Sequence, residues 1–345
     1  VRNYHFVIPV VFHKLNGSYP VGVARFIIDE NDQVLTGTVL NEPTSALGDS
    51  AVELVYSALN FKDALVFASP SRVRRAPRLT GGIEGVGVIR RHPSLPAGTP
   101  VIIWGGGIGT SVDGCFADEI VCDHSYLTPL ACSLDNLDIA MAYGIAGFTA
   151  MASIDALLRH GVQPGDGEVL VTGASGGVGS LAVTLLARIG FHVVAASGSP
   201  EHSHWLREQG ATRCIGRDEI SNRAERVLGE PLWAGAVDCV GGDTLHAILR
   251  SLRYGGAVAA SGLVAGSELH TTVYPFITRN VALLGIDAVE TPPERRLDIW
   301  NRLCDLMVPD DRRLIDRIVA LDDLPDALAD LRHGRSRGRI LVRPR

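Results

Sequence analysis

The sequence predicts an α/β protein in which a β-rich domain is joined to a doubly wound parallel sheet. Three observations carry that expectation. Short β-rich runs between Gly and Pro clusters fill the chain to about residue 132. From residue 168 onward, apolar strands alternate with helical segments. A glycine-rich turn, Val169-Leu-Val-Thr-Gly-Ala-Ser-Gly-Gly-Val-Gly-Ser180, joins the first of those strands to a helix.

In chain order, the runs 24–28, 51–58, 85–89, 100–104 and 119–122 are separated by Gly81-Gly82, Pro96-Ala97-Gly98 and Gly105-Gly106-Gly107. They read as a mostly antiparallel barrel or sandwich. Alternation along its strand points Tyr56 into the core. Residues 140–158 are small and apolar in helical fashion; 168–172 is a continuous apolar strand, 177–189 an amphipathic helix and 192–196 a second strand. A helix follows, opened by Pro200 and closed at Gly210, in keeping with the preferences of helix ends. Further strands are expected at 213–215, 235–240, 257–261 and 282–286. Beyond Pro292 come a helix, a strand near 314–321, a helix 324–332 and a last strand 339–342, a tail suited to packing back on the first domain.

With 345 residues, 46% of them hydrophobic, the chain has material for about two domains. A net charge of −6 gives no electrostatic reason to expect nucleic acid or an anionic membrane as partner. The cysteines, at 115, 122, 132, 214, 239 and 304, form no CxxC, which suggests neither a zinc ribbon nor a disulfide scaffold. The apolar run 6–12 is too short to span a bilayer and is broken by Pro9. A cytoplasmic protein acting on a small molecule is expected.

In the glycine-rich turn, missing side chains let the backbone bend tightly and let a pyrophosphate approach the helix N-terminus, where free N–H groups favour negative charge. No Gly-Lys-Ser/Thr follows, so a Walker-type loop is excluded. A nicotinamide dinucleotide is the expected ligand. An NAD site usually carries an acidic residue at the end of the second strand to bond the ribose 2′-OH. Here that strand ends Ala195-Ala196-Ser197-Gly198-Ser199-Pro200, with nothing to repel a 2′-phosphate. Arg217 has two readings, a surface arginine or the cation that binds that phosphate.

With these residues in hand, the chain resembles the medium-chain dehydrogenase/reductase superfamily, most closely its zinc-free quinone-oxidoreductase and acryloyl-CoA-reductase branch. The likeness runs from about Ala24 to the C-terminus. It is carried by Tyr56-Ser-Ala-Leu-Asn-Phe-Lys-Asp-Ala64, Gly144-Ile-Ala-Gly-Phe-Thr-Ala150, the glycine-rich turn, Trp233-Ala-Gly-Ala-Val-Asp-Cys-Val-Gly-Gly242, Arg253-Tyr-Gly-Gly-Ala-Val-Ala-Ala260 and Leu284-Gly-Ile-Asp287. The resemblance implies a GroES-like catalytic domain split around a Rossmann domain. It puts an N-terminal extension at 1–22, the catalytic domain at 23–139, the NADP-binding domain at 140–290 and a return to the catalytic domain at 291–345.

Residue by residue, it places NADPH diphosphate on Ser175, Gly176, Gly177 and Val178. The 2′-phosphate falls near Ser197, Gly198, Ser199 and Arg217, and the nicotinamide half along Leu263 and Ile277. Phe61 stands where the family pattern has Tyr, Ser199 where it has Arg or Lys, and Gly81-Gly-Ile-Glu84 where it has Pro-Gly-Ile-Asp. The resemblance also implies a homodimer built on the edge strand 282–286.

No Gly-His-Glu motif or four-Cys lobe is present, so the sequence offers no metal site. Reduction of an activated C=C bond needs only hydrogen-bond donors at the enolate oxygen and a proton source. The resemblance makes Asn60 and Lys62, in the loop that faces the cofactor cleft in the family, the expected donors, with a structural cap as the alternative for Asn60. Arg75, in Arg72-Val-Arg-Arg75, matches a family Arg before the substrate loop, so the resemblance makes it the expected anchor for a carboxylate or thioester substrate; its two arginine neighbours read as a solvated basic run. The expected activity is an NADPH-dependent, zinc-independent reductase of an enone or enoyl thioester. Two alternatives remain: a tailoring reductase that cyclises a polyene carbonyl compound, and a non-catalytic NADPH-binding sensor.

Overall fold

A computed structural model describes residues 11–12, 23–31, 34–42, 48–131, 133–221 and 227–344. The expected extension, apart from Val11–Phe12, and Cys132 lie outside the described residues. The chain divides into two compact units, one of Ala146–Ala288 and one of Arg2–Ile145 with Val289–Arg345.

The first unit is built on a six-stranded parallel sheet. Across it run Arg213–Ile215, His192–Ala196, Glu168–Thr172, Trp233–Asp238, Leu252–Ala260 and Ala282–Gly285, the chain order 3-2-1-4-5-6 of a Rossmann fold. Strands covered by helices on both faces must be apolar throughout, and Val169, Leu170, Val171, Val193, Val194, Ala236 and Val237 are all fully buried. The helix Gly177–Ile189 follows the first strand and ends on Gly190, whose φ of 100° closes a left-handed cap. The segment opened by Pro200 is shorter than a single helix. It begins as a 3-10 turn, Pro200–His202, and only Ser203–Glu208 is α-helical.

In the second unit, one sheet has the order Ile315–Ala320, Arg339–Arg343, Ser50–Ala58, Glu84–Arg91, Pro100–Trp104, Leu127–Pro129, with Glu119–Cys122 also paired to Ser50–Ala58. All its pairs are antiparallel except the first two strands from the C-terminal segment. A smaller sheet holds Ala24–Asn31 between Val34–Asn41 and Arg78–Thr80. Two apolar clusters fill the unit, one around Phe26, Phe67 and Phe116, the other around Val52, Ile89 and Ile103.

Tyr56 is a correction to the sequence reading. It is only half-buried, and its hydroxyl accepts a hydrogen bond from Arg343, whose guanidinium also lies over the ring. The register against Glu84–Arg91 shifts between Leu54 and Tyr56, and a bulge there turns the side chain to the other face.

The helix Leu137–His160 is long and apolar enough to cross a membrane by length and composition, yet 83% of its apolar window is buried inside the protein. It is interrupted at Gly144, whose φ of 49° and ψ of −153° are not helical.

Candidate active site

In the first unit, the glycine-rich turn is shaped by two close approaches. Gly173 has a φ of 58°, a left-handed conformation that side chains disfavour. A β-carbon on Gly179 would overlap the carbonyl of Gly173, so only glycine lets the helix start pack on the strand end. Gly176 is exposed, and its N–H donates to Gly173 O at 2.9 Å, fixing the bend. The N–H groups of Gly177, Val178 and Gly179 stand in the first helical turn, where no intrahelical acceptor exists. Donors and helix dipole together fit a diphosphate.

Beneath the turn, Thr172 Oγ1 donates to Asp238 Oδ1 at 2.6 Å, and Asp238 Oδ2 accepts from Gly241 N–H at 2.9 Å. This ties the ends of the first and fourth strands, at the point where strand order reverses and such folds bind their ligands. Burial pushes the Asp238 carboxyl up, against the pull of these bonds.

At the end of the second strand, Ser197 is buried. Its hydroxyl shares a 3.0 Å hydrogen bond with that of Ser175 and accepts the Ser199 N–H at 3.1 Å. Arg217 opens the short helix Arg217–Ser221 and lies directly over Gly198, where a β-carbon would overlap its guanidinium. The structure thus brings Ser175, Ser197, Gly198, Ser199 and Arg217 together at one strand end, with no carboxylate among the residues of that strand end. Leu263 and Ile277 are exposed on the same unit.

In the second unit, Lys62, Ile83, Gly105, Gly107, Ile108, Thr110, Ile145 and Val289 line a small pocket. Lys62 sits in the first turn of a helix, Phe61–Val66, where the sequence reading had placed a loop. Asn60 caps that helix, and the Asp63 carboxylate returns to accept the Asn60 N–H at 2.9 Å. Asn60 Nδ2 donates to Ala58 O at 3.3 Å and to Glu84 Oε1 at 2.7 Å, and Asn60 Oδ1 accepts from Arg339 at 3.0 Å. Both amide hydrogens are therefore used within the protein. Asn60 thus stands in the structural-cap arrangement that was the alternative to a substrate donor.

The same network contains residues that sequence reading missed. Glu84 has no exposed surface and Arg339 only 2%, and the two form an ion pair. Glu84 Oε2 accepts the N–H of Ile145, just past the helix interruption, while Asp63 Oδ1 accepts that of Ile83 at 3.1 Å. Burial, and after it the nearby Glu84 charge, pushes the Asp63 carboxyl up to about 7. Glu84 stands within the stretch that departs from the family pattern; its link to Arg339, 255 residues away, left no local sign.

Arg75 is exposed, and its peptide N–H donates at 2.7 Å to the carbonyl of Thr110 on the pocket wall. Its neighbour Arg74 is not part of a solvated run as expected. It is buried, paired with Glu30 and bonded to the carbonyls of Val66 and Ala68. Phe61 is partly exposed at the helix start. Behind the glycine segment, the buried guanidinium of Arg296 lies 4.5 Å from the centroid of the Trp104 ring, which itself packs on Trp300.

Comparison with known proteins decides the family. The acrylyl-CoA reductase AcuI of Ruegeria pomeroyi is 40% identical over 299 residues, 86% of this chain and 90% of that protein. The chain belongs to the medium-chain dehydrogenase/reductase superfamily. Within this superfamily it stands on the quinone-oxidoreductase and acrylyl-CoA-reductase branch. The yhdH oxidoreductase of Salmonella enterica, solved in complex with NADP, matches with a TM-score of 0.88 at 39% identity, over 93% of this chain and 99% of that one. The yhfP protein of Bacillus subtilis, solved with NAD bound, gives 0.89 at 36% identity, over 93% and 99%. A family model for zinc-binding dehydrogenases matches residues 177–301.

The residues do not fit the zinc of that description. Among the described residues, no group of three or more His, Cys, Asp or Glu is arranged to hold a metal ion. Cys115 lies in an irregular segment and Cys122 in a strand. Burial pushes both thiols up, Cys122 to about 12.

Proposed function

We propose that the protein is an NADPH-dependent reductase of an activated carbon–carbon double bond, in an enone or enoyl thioester, that works without zinc. The observation that carries this reading is the 40% identity, over nearly the whole chain, to an acrylyl-CoA reductase. Preference for the phosphorylated dinucleotide is supported by the strand end, where two serines and Arg217 stand in place of a carboxylate.

When bound, the dinucleotide would supply hydride to the β-carbon of the acceptor, and the α-carbon would take its proton from water or a side chain. The chain's part is to bind, to orient and to manage charge. The first-turn N–H groups of Gly177 and Val178, with Ser175 and Gly176, cradle the diphosphate, and Arg217, Ser197 and Ser199 hold the 2′-phosphate. In the pocket, Lys62 faces the acceptor carbonyl and stabilises negative charge as it develops on that oxygen. Arg75 anchors the anionic part of the substrate. Leu263 and Ile277 offer apolar surface to the nicotinamide half.

The assembly proposed is a homodimer. Ala282–Gly285 is the open edge of the parallel sheet, and Leu283, Tyr274 and Ile277 expose apolar side chains on that unit. The location proposed is the cytoplasm, in keeping with five unpaired cysteines among the described residues. The test of function is loss of NADPH absorbance over a panel of enones and enoyl thioesters. Turnover of acryloyl-CoA or a simple enone is the expected result. NADPH binding without turnover of any acceptor overturns the reading, and a cyclised product replaces simple reduction with ring closure.

A further inference from the structure

We propose that Glu84 is a positioning residue that holds the wall of the Lys62 pocket in place by joining three distant segments through one carboxylate. The proposal rests on the reading of that pocket as the substrate site.

The geometry is specific. Glu84 Oε1 accepts from Asn60 Nδ2 and from Arg339, and Oε2 accepts from Ile145 N–H. Arg339 also donates to Leu59 O at 3.3 Å and Asn60 Oδ1 at 3.0 Å, so both members of the ion pair grip the segment that leads into Lys62. The Ile145 N–H needs an outside acceptor because the helix is interrupted at Gly144. A β-carbon at Gly144 would overlap Glu84 Oε2, so glycine and carboxylate occupy complementary space. Three residues of the pocket wall hang on this cluster: Lys62 next to Asp63, Ile83 bonded by Asp63, and Ile145 bonded by Glu84.

Stability alone is a weak reason for such a cluster. Taking a carboxylate and a guanidinium out of water is expensive, and well-packed apolar residues of similar volume are often as stable. Buried charges of this kind do something that apolar contacts do poorly: they fix where backbone donors point.

The test uses Glu84→Gln, which keeps the volume but turns one acceptor oxygen into an NH2 group. In either orientation that group faces a donor, Ile145 N–H on one side or Asn60 and Arg339 on the other. A second variant, Arg339→Lys, keeps the charge balance while losing the fork that reaches Asn60 and Leu59. A merely structural loss lowers the active fraction and hence the apparent kcat. Lost positioning raises the KM for the unsaturated substrate, by roughly 10-fold, and leaves the KM for NADPH unchanged.

Two further readouts need no turnover. The chain has only Lys14 and Lys62 as lysines, so acetylation of Lys62 by an N-hydroxysuccinimide ester can be followed by peptide mass against a free-lysine competitor. Deuterium exchange of the peptide containing Ile145 reports its N–H directly. In the variants, the Lys62 rate is expected to change several-fold and Ile145 exchange to accelerate. A folded variant with parental labelling, exchange and substrate KM overturns the proposal. Arg339→Lys alone decides it should Glu84→Gln not fold. If the wild-type enzyme reduces none of the acceptors, the functional reading fails, while labelling and exchange still judge the positioning role.

Discussion

Arg217 presents its guanidinium over Gly198, the residue between Ser197 and Ser199 at the end of the second strand. A charge-assisted bond to phosphate is worth about 1.5–3 kcal/mol, which is roughly 10- to 150-fold in affinity. The position is exposed, so solvent takes part of that gain. Arg217→Ala is expected to raise the KM for NADPH at least several-fold and leave that for NADH nearly unchanged; steady-state kinetics with each cofactor separates the two. Equal effects on both would make Arg217 a structural residue. Lys62 is the pocket residue with a flexible cationic tip. Losing one donor to a developing oxyanion costs about 100- to 1,000-fold in kcat where the site is well ordered. Lys62→Met is therefore expected to cut kcat at least 10-fold while NADPH titration by fluorescence stays as in the parent. An unchanged kcat would remove Lys62 from the chemistry.

The turn from Gly173 into the helix Gly177–Ile189 is the element proposed to hold the dinucleotide diphosphate. Replacing a helical glycine by alanine ordinarily stabilises by about 1 kcal/mol. At Gly179 the new methyl would overlap the Gly173 carbonyl, and overpacking of that kind costs about 1–3 kcal/mol. The clash outweighs the propensity. Gly179→Ala is expected to lower Tm and weaken NADPH binding together, measured by thermal melts with and without cofactor.

That element was legible in the sequence because its signals are local: an apolar strand, glycines at a bend, a helix with period near 3.6. Strands such as Pro100–Trp104 and Arg213–Ile215 were legible for the same reason. The helix Phe61–Val66 was not, since six residues give too little periodicity to read. Tyr56 was placed on the wrong face because a bulge breaks alternation, and one extra residue carries no sequence signature of its own. The pocket cluster was legible only at Asn60 and Lys62. Glu84 and Arg339 are united by the sheet that brings the C-terminal strand beside Ser50–Ala58, a pairing that no local pattern encodes.

For the whole molecule, Asp63 sets a pH dependence of stability. Its folded pKa of about 7 exceeds the unfolded value, so the folded state holds an extra proton between the two. The associated stability is complete below the unfolded pKa and is lost as pH rises through about 7. The slope is at most about 1.4 kcal/mol per pH unit. Asp238, also pushed up by burial, acts in the same direction. His246, held below its ordinary value of 6.5 by burial, acts in the opposite direction as pH falls, which makes the range above 6.5 the clean window. Tm is expected to fall from about pH 6.5 to 8, and Asp63→Asn to flatten the profile; an unchanged slope would place the titration elsewhere. Assembly is testable at the same scale, and light scattering at micromolar concentration is expected to give twice the 36.8 kDa chain mass. A monomer there refutes the edge-strand dimer. The stack of Arg296 on Trp104 has an optical consequence. A cation held over an indole shifts and dims its emission, and this indole lies one residue before the Gly105 wall of the pocket. An unsaturated thioester added without NADPH that disturbs this wall changes the emission of a protein with only four tryptophans, so substrate entry has its own colour before any hydride moves.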